Sequence, residues 1–279
     1  MAVILSPNGC ETAKRKQDFI HLLALLIEKN ICIYGVIIST GYGVVTLQGF
    51  LIAFIGEVFR ICFSLSSFGL VVNLYQNDTM NLLIGALLLN PRNRLSEGAK
   101  VNGLCRLASI ILGDFAIGSI LDPVGNFILN DGRIDVQYRW VVESPAPGII
   151  DRQSVFEPLQ TGVISIDSMI PIGRGQRELI VGDRQTGKTS IGVDTILNQK
   201  YKKVFCIYVP LGQKASSILE VFLALIRKDA IFYLSVLYAS ASSSAVHQFL
   251  CAYTGSALSE FFVLVGEQIR MVFFYQQLV

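Results

Sequence analysis

The chain has 279 residues, of which 52% are apolar and 16% charged, and its formal net charge is +2. Such a composition excludes an intrinsically disordered chain and leaves room for two domains with a sizeable core. With the charge near neutral and no basic run standing out, it argues against a dedicated nucleic-acid surface. At the amino end, Met1–Leu5 is apolar and Lys14, Arg15 and Lys16 follow it, which is neither a secretory pattern nor a transit-peptide pattern. Residues 12–29 read as one amphipathic helix, with Phe19, Leu22, Leu23, Leu25 and Leu26 between a charged start and Glu28-Lys29.

Residues 31–104 change pattern. Short runs of Val, Ile, Phe and Tyr alternate with turns such as Thr40-Gly41-Tyr42-Gly43 and Asn77-Asp78, which predicts a small β barrel or sandwich with no site of its own. Mean hydropathy is high, at +0.54, so a membrane reading is weighed. A membrane helix needs ~20 predominantly apolar residues. Gly43–Phe59 is the best candidate, but Glu57 and repeated glycines make buried strands the better reading. Residues 105–150 connect, with turn signals at Asp122-Pro123-Val124-Gly125 and Asn130-Asp131-Gly132 and a stiff Ser144-Pro145-Ala146-Pro147-Gly148 loop.

From Arg177 the chain alternates. Strands are expected over Glu178–Val181 (buried), Val204–Val209, Ala230–Ala239 and Met271–Tyr275. Helices are expected over Lys188–Gln199, Ser217–Lys228 and most of Ala245–Gln268. This predicts an α/β fold with a mostly parallel sheet. Six cysteines (Cys10, Cys32, Cys62, Cys105, Cys206 and Cys251) form no Cys-x-x-Cys pair, so buried, reduced thiols are expected rather than zinc or disulfides. His21 and His247 read as surface or satisfied histidines, Trp140 as packing, and Phe222, Phe249, Phe261 and Phe262 as core.

Gly182-Asp183-Arg184-Gln185-Thr186-Gly187-Lys188-Thr189 fits G-x-x-x-x-G-K-[ST]. Chance matches arise in roughly one chain in a hundred of this length, and the expected strand before and helix after make this one specific. Glycines let backbone N–H groups approach phosphate oxygens, and the helix start adds free N–H groups and a positive dipole end. Lys188 offers a point charge to the outer phosphates and the Thr189 hydroxyl a ligand for Mg2+. Asp183 and Arg184 shape the loop or meet a neighbour. The expected ligand is ATP or ADP with Mg2+.

Pro171-Ile172-Gly173-Arg174-Gly175-Gln176-Arg177-Glu178-Leu179-Ile180, the phosphate loop, and Asp194-Thr195-Ile196-Leu197-Asn198-Gln199 closely resemble the alpha subunits of F-type ATP synthases. So do Glu143–Ile150, Glu157–Gly162, Gly212–Ser217 and Tyr253–Phe262, and Ser-Pro-Ala-Pro-Gly is similar to the plastid and cyanobacterial branch. The likeness is dense over residues 143–217, patchy before them and decaying after. It implies a six-stranded barrel, here over 31–104 after the expected N-terminal helix of 1–30, and a P-loop (RecA-like) nucleotide domain over 105–279. It also implies alternating beta-subunit partners, a central stalk and peripheral association with a membrane sector on a thylakoid's stromal side. The alternative is the inner face of a bacterial or mitochondrial inner membrane.

Against the family's pattern, the later nucleotide domain, with its reaching arginine, and the C-terminal helical domain are expected to be missing. The family's acidic pair at the last strand's end falls on Gln276 and Gln277. Gln213 stands where the catalytic beta subunit has a water-polarising glutamate; an amide can position water but is no carboxylate base. The resemblance therefore implies a non-catalytic, regulatory ATP-binding subunit supporting proton-coupled ATP synthesis. The alternatives are a degenerate, truncated relative without activity, or an independent P-loop ATPase.

Overall fold

The computed structural model describes residues 34–41, 43–50, 53–62, 68–76, 82–89, 96–128, 138–150, 152, 154–183, 186–265 and 270–277. The helix expected over residues 12–29 lies outside them, as do His21, Cys10, Cys32, Arg184 and Gln185. The chain divides into two compact units, residues 1–108 and 109–279.

In the first unit, six strands close a barrel: β1 (Tyr34–Gly41), β2 (Val44–Gln48), β3 (Glu57–Ile61), β4 (Phe68–Gln76), β5 (Leu82–Leu88) and β6 (Lys100–Leu107), in the order β1-β2-β5-β4-β3-β6. Alternation drives the closure. In β3, Glu57, Phe59 and Ile61 point inward while Arg60 faces water. Ile37, Val45, Leu47, Val71, Ile84 and Val101 fill the same interior. Gly69 pairs with Phe59 across β3 and β4, and a Cβ there would lie 2.1 Å from the Phe59 ring. Glycine therefore lets the aromatic ring lie over the neighbouring strand. Gly43–Phe59, weighed above as a membrane span, runs through β2 and into β3, and no helix among the described residues is long and apolar enough to cross a membrane.

Glu57 is only 2% exposed. Its carboxylate accepts hydrogen bonds from the Phe54 N–H at 3.1 Å and from the Cys105 N–H at 2.9 Å. The second bond holds β6 at Cys105, whose φ is 51°. Cys105 and Cys62 are exposed, which corrects the expectation that all thiols are buried: both stand at irregular places, a left-handed kink and a strand end, where the side chain turns outward.

The second unit is built on a parallel sheet. β12 (Val204–Gln213) is its central strand. β15 (Arg270–Gln277) pairs with one edge of β12, in register from Val204↔Arg270 to Leu211↔Gln277. β13 (Leu234–Leu237) and β14 (Ala239–Ser240) pair with the other edge, and β8 (Ile120–Leu121) extends the sheet beyond β13. Four helices follow in chain order: α1 (Ile164–Met169), α2 (Lys188–Asn198), α3 (Ala215–Arg227) and α4 (Ala245–Val265). Phe205, Ile207, Val209 and Leu211 of β12 pack against Cys251, Leu258, Phe261 and Phe262 of α4. On the opposite face, Val204, Cys206 and Tyr208 meet Ile196 of α2 and Phe222 and Leu225 of α3. Both faces of the strand are covered, hence its unbroken apolar run. β7 (Ser109–Leu112) pairs with β9 (Tyr138–Val141), and β10 (Pro158–Leu159) with β11 (Ile172–Gly173). Trp140 of β9 packs edge-on to Phe261, 5.9 Å between centroids.

Three sequence expectations are corrected. Glu178–Val181 is not a strand: it has no sheet partner, and Leu179 and Val181 are 85% and 80% exposed. β15 holds one edge of β12 over eight residues, and the four-residue run pairs with nothing in the described sheet. Ala230–Ala239 is not one strand but a 3-10 turn (Ala230–Tyr233) followed by β13 and β14, because Asp229 turns the chain at φ 60° straight out of α3. Phe249 is 45% exposed rather than core; it lies on the outer face of α4, its ring tilted against that of Tyr253 with centroids 4.8 Å apart.

Burial holds the Glu57 carboxyl above its ordinary value of 4.5, the two backbone hydrogen bonds acting in the opposite sense. A raised folded-state value means that the native state binds more protons than the unfolded chain in that window, so its contribution is full below 4.5 and falls as pH rises. The stability advantage of the parent over Glu57→Gln is therefore expected to shrink as pH rises from about 4.5 towards neutrality. Urea midpoints for both proteins across that range test it; an advantage that grows with pH overturns the assignment.

Candidate nucleotide-binding site

Gly187 is the N-cap of α2, with φ 90° and ψ 13°. That left-handed conformation is open to glycine without strain. Its carbonyl accepts the Ile191 N–H at 3.1 Å, which starts the helix, and no side chain caps the helix end. Gly187 has no side chain to cap the helix, and the helix dipole adds positive potential at that point. Gly182 stands at the other end of the loop. A Cβ there would lie 2.7 Å from Thr186 Oγ1, so only glycine lets the loop close this tightly. The Thr186 hydroxyl donates to the Asp183 carbonyl at 2.8 Å, and the Lys188 ammonium donates to the Gly182 carbonyl. Lys188 is folded over its own loop, with its charge where loop and helix meet. Thr189, in the first turn of α2, is half-buried. The loop and helix end fit a phosphate chain: a glycine cradle, a helix amino end with its positive potential, one cation and a hydroxyl.

Gln213 is the last residue of β12, not a residue beyond it, and is 5% exposed. It follows Gly212, whose φ is 65°, at a break in the register with β14. Its carbonyl accepts the Ala241 N–H at 3.0 Å, its side chain hydrogen-bonds Tyr208, and its Nε2 is buried without a partner. Burial pushes the Tyr208 phenol up to about 12, with the Gln213 hydrogen bond acting against it. Beside Gln213 in the sheet stands Ser240, whose hydroxyl lies 2.8 Å from Ser242 Oγ and 3.0 Å from Ser243 Oγ. This hydroxyl cluster was missed in the sequence, although Ser242-Ser243-Ser244 was its signal. Ser244 Oγ also lies 3.1 Å from His247 Nδ1, which makes His247 a satisfied histidine.

Helix polarity joins loop and strand end. α2 reaches β12 through the short turn 199–203 and shares a core with it, so the two run antiparallel. Eleven residues of helix span about 16 Å. Lys188 therefore lies towards the carboxyl end of β12, the end that Gln213 occupies. Backbone pairing puts Gln276 and Gln277 opposite Pro210 and Leu211, at the same end. Ligands of open parallel sheets bind at that end. Among the described residues no group of three or more His, Cys, Asp or Glu could hold a metal ion.

Residues 162–276 match the ATP synthase alpha/beta family, nucleotide-binding domain. The matched range contains the Gly182–Thr189 loop, Gln213 and most of β15. Over 239 residues the chain is 44% identical to the ATP synthase subunit alpha of Dichelobacter nodosus (strain VCS1703A), an overlap of 86% of this chain and 45% of that protein. The chain thus spans about half the length of the curated relative it matches.

Asp167 also escaped the sequence reading. Its carboxylate accepts the Thr161 N–H at 2.9 Å, the Thr161 hydroxyl at 2.7 Å and the Gly162 N–H at 2.9 Å. The Thr161 hydroxyl, foremost, holds its carboxyl below the ordinary value. A cleft of about 420 Å³ opens beside it, lined also by Leu159, Gln160, Asn198 and Lys202, at the carboxyl end of α2 and so away from the loop.

Gly182→Ala should weaken ATP binding about tenfold, the scale of one lost hydrogen bond to a charged group, with the circular-dichroism spectrum unchanged. Removing the clashing hydroxyl as well, in Gly182→Ala with Thr186→Ala, should recover part of the loss. An unaltered affinity in the single variant would rule out the cradle.

Proposed function

We propose that the chain is an alpha-type subunit of a proton-translocating F-type ATP synthase that binds ATP or ADP on a P-loop at Gly182–Thr189 without hydrolysing it. The observation that carries this is the pairing of a phosphate cradle with Gln213. The loop supplies Gly182, Gly187, Thr186, Lys188 and the amino end of α2. At the strand end beyond it stands an amide, with a buried Nε2–H that has no protein partner, where hydrolysis would need a carboxylate base. An amide orients a water molecule and takes no proton from it.

The residues each do a stated part. Backbone N–H groups of the loop bind phosphate oxygens, and Lys188 leaves the Gly182 carbonyl to meet the outer phosphates. Asp183, Arg184 and Gln185 complete the loop backbone. The Thr189 hydroxyl would hold Mg2+ from this chain, and the ion would supply neutralisation of the phosphate charge. Gln213 positions water. The subunit works beside beta-type partners around a central stalk, in a head peripheral to a membrane, and its role there is regulatory. A barrel that ends with β6 at Leu107, followed by the nucleotide-binding unit from Ser109, gives its organisation. Ser144-Pro145-Ala146-Pro147-Gly148 supports a plastid thylakoid, stromal side, as the setting.

Lys188→Ala should weaken ATP binding far more than adenosine binding, since only ATP carries the phosphates. The parent should show no steady ATP turnover. Equal ATP affinity in parent and variant would overturn the loop assignment; turnover abolished by Lys188→Ala would make the chain an ATPase in its own right.

The metal gives a further test. Magnesium usually keeps several waters and one or two carboxylates. With Gln276 where the family has an acid, metal affinity should be lower by about 10- to 100-fold, by analogy with other outer-sphere losses. ATP should then bind with little dependence on Mg2+, and Gln276→Asp should restore that dependence. Titrations with Mg2+ and with a chelator decide it; a strong dependence in the parent, unchanged in the variant, overturns this account of the metal.

A further inference from the structure

Residues 175–183 are exposed from first to last, a strap between two fixed points. At one end β11 pairs with β10. Arg174 follows, its N–H donating to the Glu157 carbonyl at 2.8 Å and its guanidinium to the Glu157 carboxylate at 3.2 Å. At the other end Gly187 opens α2. Within the strap stand Leu179, Ile180 and Val181, three apolar side chains in succession, all exposed. The strap turns at Gly182, whose carbonyl accepts the Lys188 ammonium. That bond latches the end of the strap to the first turn of α2.

The sheet has a place for such a run. β15 gives one edge to β12 over eight residues, and among the described residues its other edge pairs with no strand. An open edge of that length is a template for a further strand. The hand of the crossovers decides whether the strap can reach it. β12 passes through α3 to β13, and α3 covers the face of β12 that carries Cys206 and Tyr208. α2 covers the same face. Crossovers between parallel strands are right-handed. A strand that feeds α2 and runs parallel to β12 therefore stands on the side of β12 away from β13, which is the side of β15. The slot next to β12 is filled, so the free edge of β15 is the one left. α2 already lies against β15. The return through α4, on the opposite face and in the opposite direction, has the same hand.

We propose that residues 178–181 dock as a parallel strand on the free edge of β15 when nucleotide phosphates draw Lys188 off the Gly182 carbonyl. Closure of this kind rests on the nucleotide reading of the loop and adds a movement to it. Four residues of strand span about 13 Å, half the length of the edge they cover. The phosphate loop lies at the carboxyl end of the sheet, so the strap lies along the half of β15 that ends at Gln276 and Gln277. Leu179 and Val181 share one face of a strand and Ile180 takes the other, so docking brings apolar surface out of water on both faces. Lys188 exchanges a carbonyl for phosphate oxygens, and the backbone freed from the latch gains partners in the sheet. Part of the free energy of nucleotide binding then comes from completing the sheet.

Backbone hydrogen exchange of the full chain, resolved by residue, tests this with and without ATP. In the free chain the amides of 178–181 should exchange as open chain. With ATP bound, alternate amides should be protected, those of Leu179 and Val181 or those of Glu178 and Ile180, because an edge strand turns every second residue to its neighbour. Lys188→Met lacks the latch and should protect the same amides without nucleotide. Leu179→Ser with Val181→Ser should leave the melting temperature of the free chain unchanged, since both side chains are in water there. The same double variant should weaken ATP binding about tenfold, the effect of burying one such side chain. Leu219→Ser, exposed on α3, is the control and should leave ATP affinity unaltered. ATP binding with 178–181 still open to exchange overturns the strap and leaves the nucleotide reading standing. Protection in Lys188→Met with no ATP binding in the parent overturns the nucleotide reading and leaves the docking itself. Open amides in Lys188→Met overturn the latch, and equal loss of ATP affinity in the Leu219 control overturns the role given to Leu179 and Val181.

Discussion

β12 is paired along both edges and covered on both faces, and the second unit takes its form from that enclosure. A strand in such a position has no exposed side for polar residues, so Val204–Leu211 is apolar almost without break. Its thiol and phenol show the same dryness: Cys206 and Tyr208 are each pushed up to about 12 by burial. Polar chemistry can then begin only where the strand ends. It begins at Gln213, after the left-handed Gly212, and the neighbouring chain adds Ser240 and Gln248 there. The position of the candidate site is thus a consequence of how fully the strand is buried.

The barrel and the core strands were legible from the sequence because their signals are local. Inward and outward alternation in β3, and glycines that leave room for Phe59, act within a few residues of one another. The loop at Gly182–Thr189 was legible for the same reason: Gly182 answers to Thr186 within the loop, and Gly187 to its own left-handed turn. Helix ends fell within about two residues of those expected for α2 and α3, which is the usual fraying of boundaries.

What was not legible depends on partners far along the chain. Leu179, Ile180 and Val181 look like a strand in isolation, but strand character is realised only by pairing, and β15 takes the edge of β12. Phe249 looks like core because its neighbours on α4 are core; the helix turns it outward. Asp167 gave no signal, since its partners Thr161 and Gly162 are recognisable as such only once the chain has turned back through α1. The charge reading also passed over Lys200, whose tie to Lys228 and Asp229 exists only once the loop 228–233 is brought against it.

Helix polarity links the two ends of the sheet. α2 and α3 both follow their loops from the carboxyl edge and finish at the amino edge. Their amino ends present N–H groups and positive potential, which favours an anion beside Gln213. Their carboxyl ends present carbonyl groups and negative potential, which favours cations, and Lys200, Arg227 and Lys228 stand there. Lys202, past the end of α2, answers to a different partner: it lines the cleft beside Asp167 and, after the Thr161 hydroxyl, helps to hold that carboxyl below its ordinary value, so the amino edge offsets part of its own positive charge.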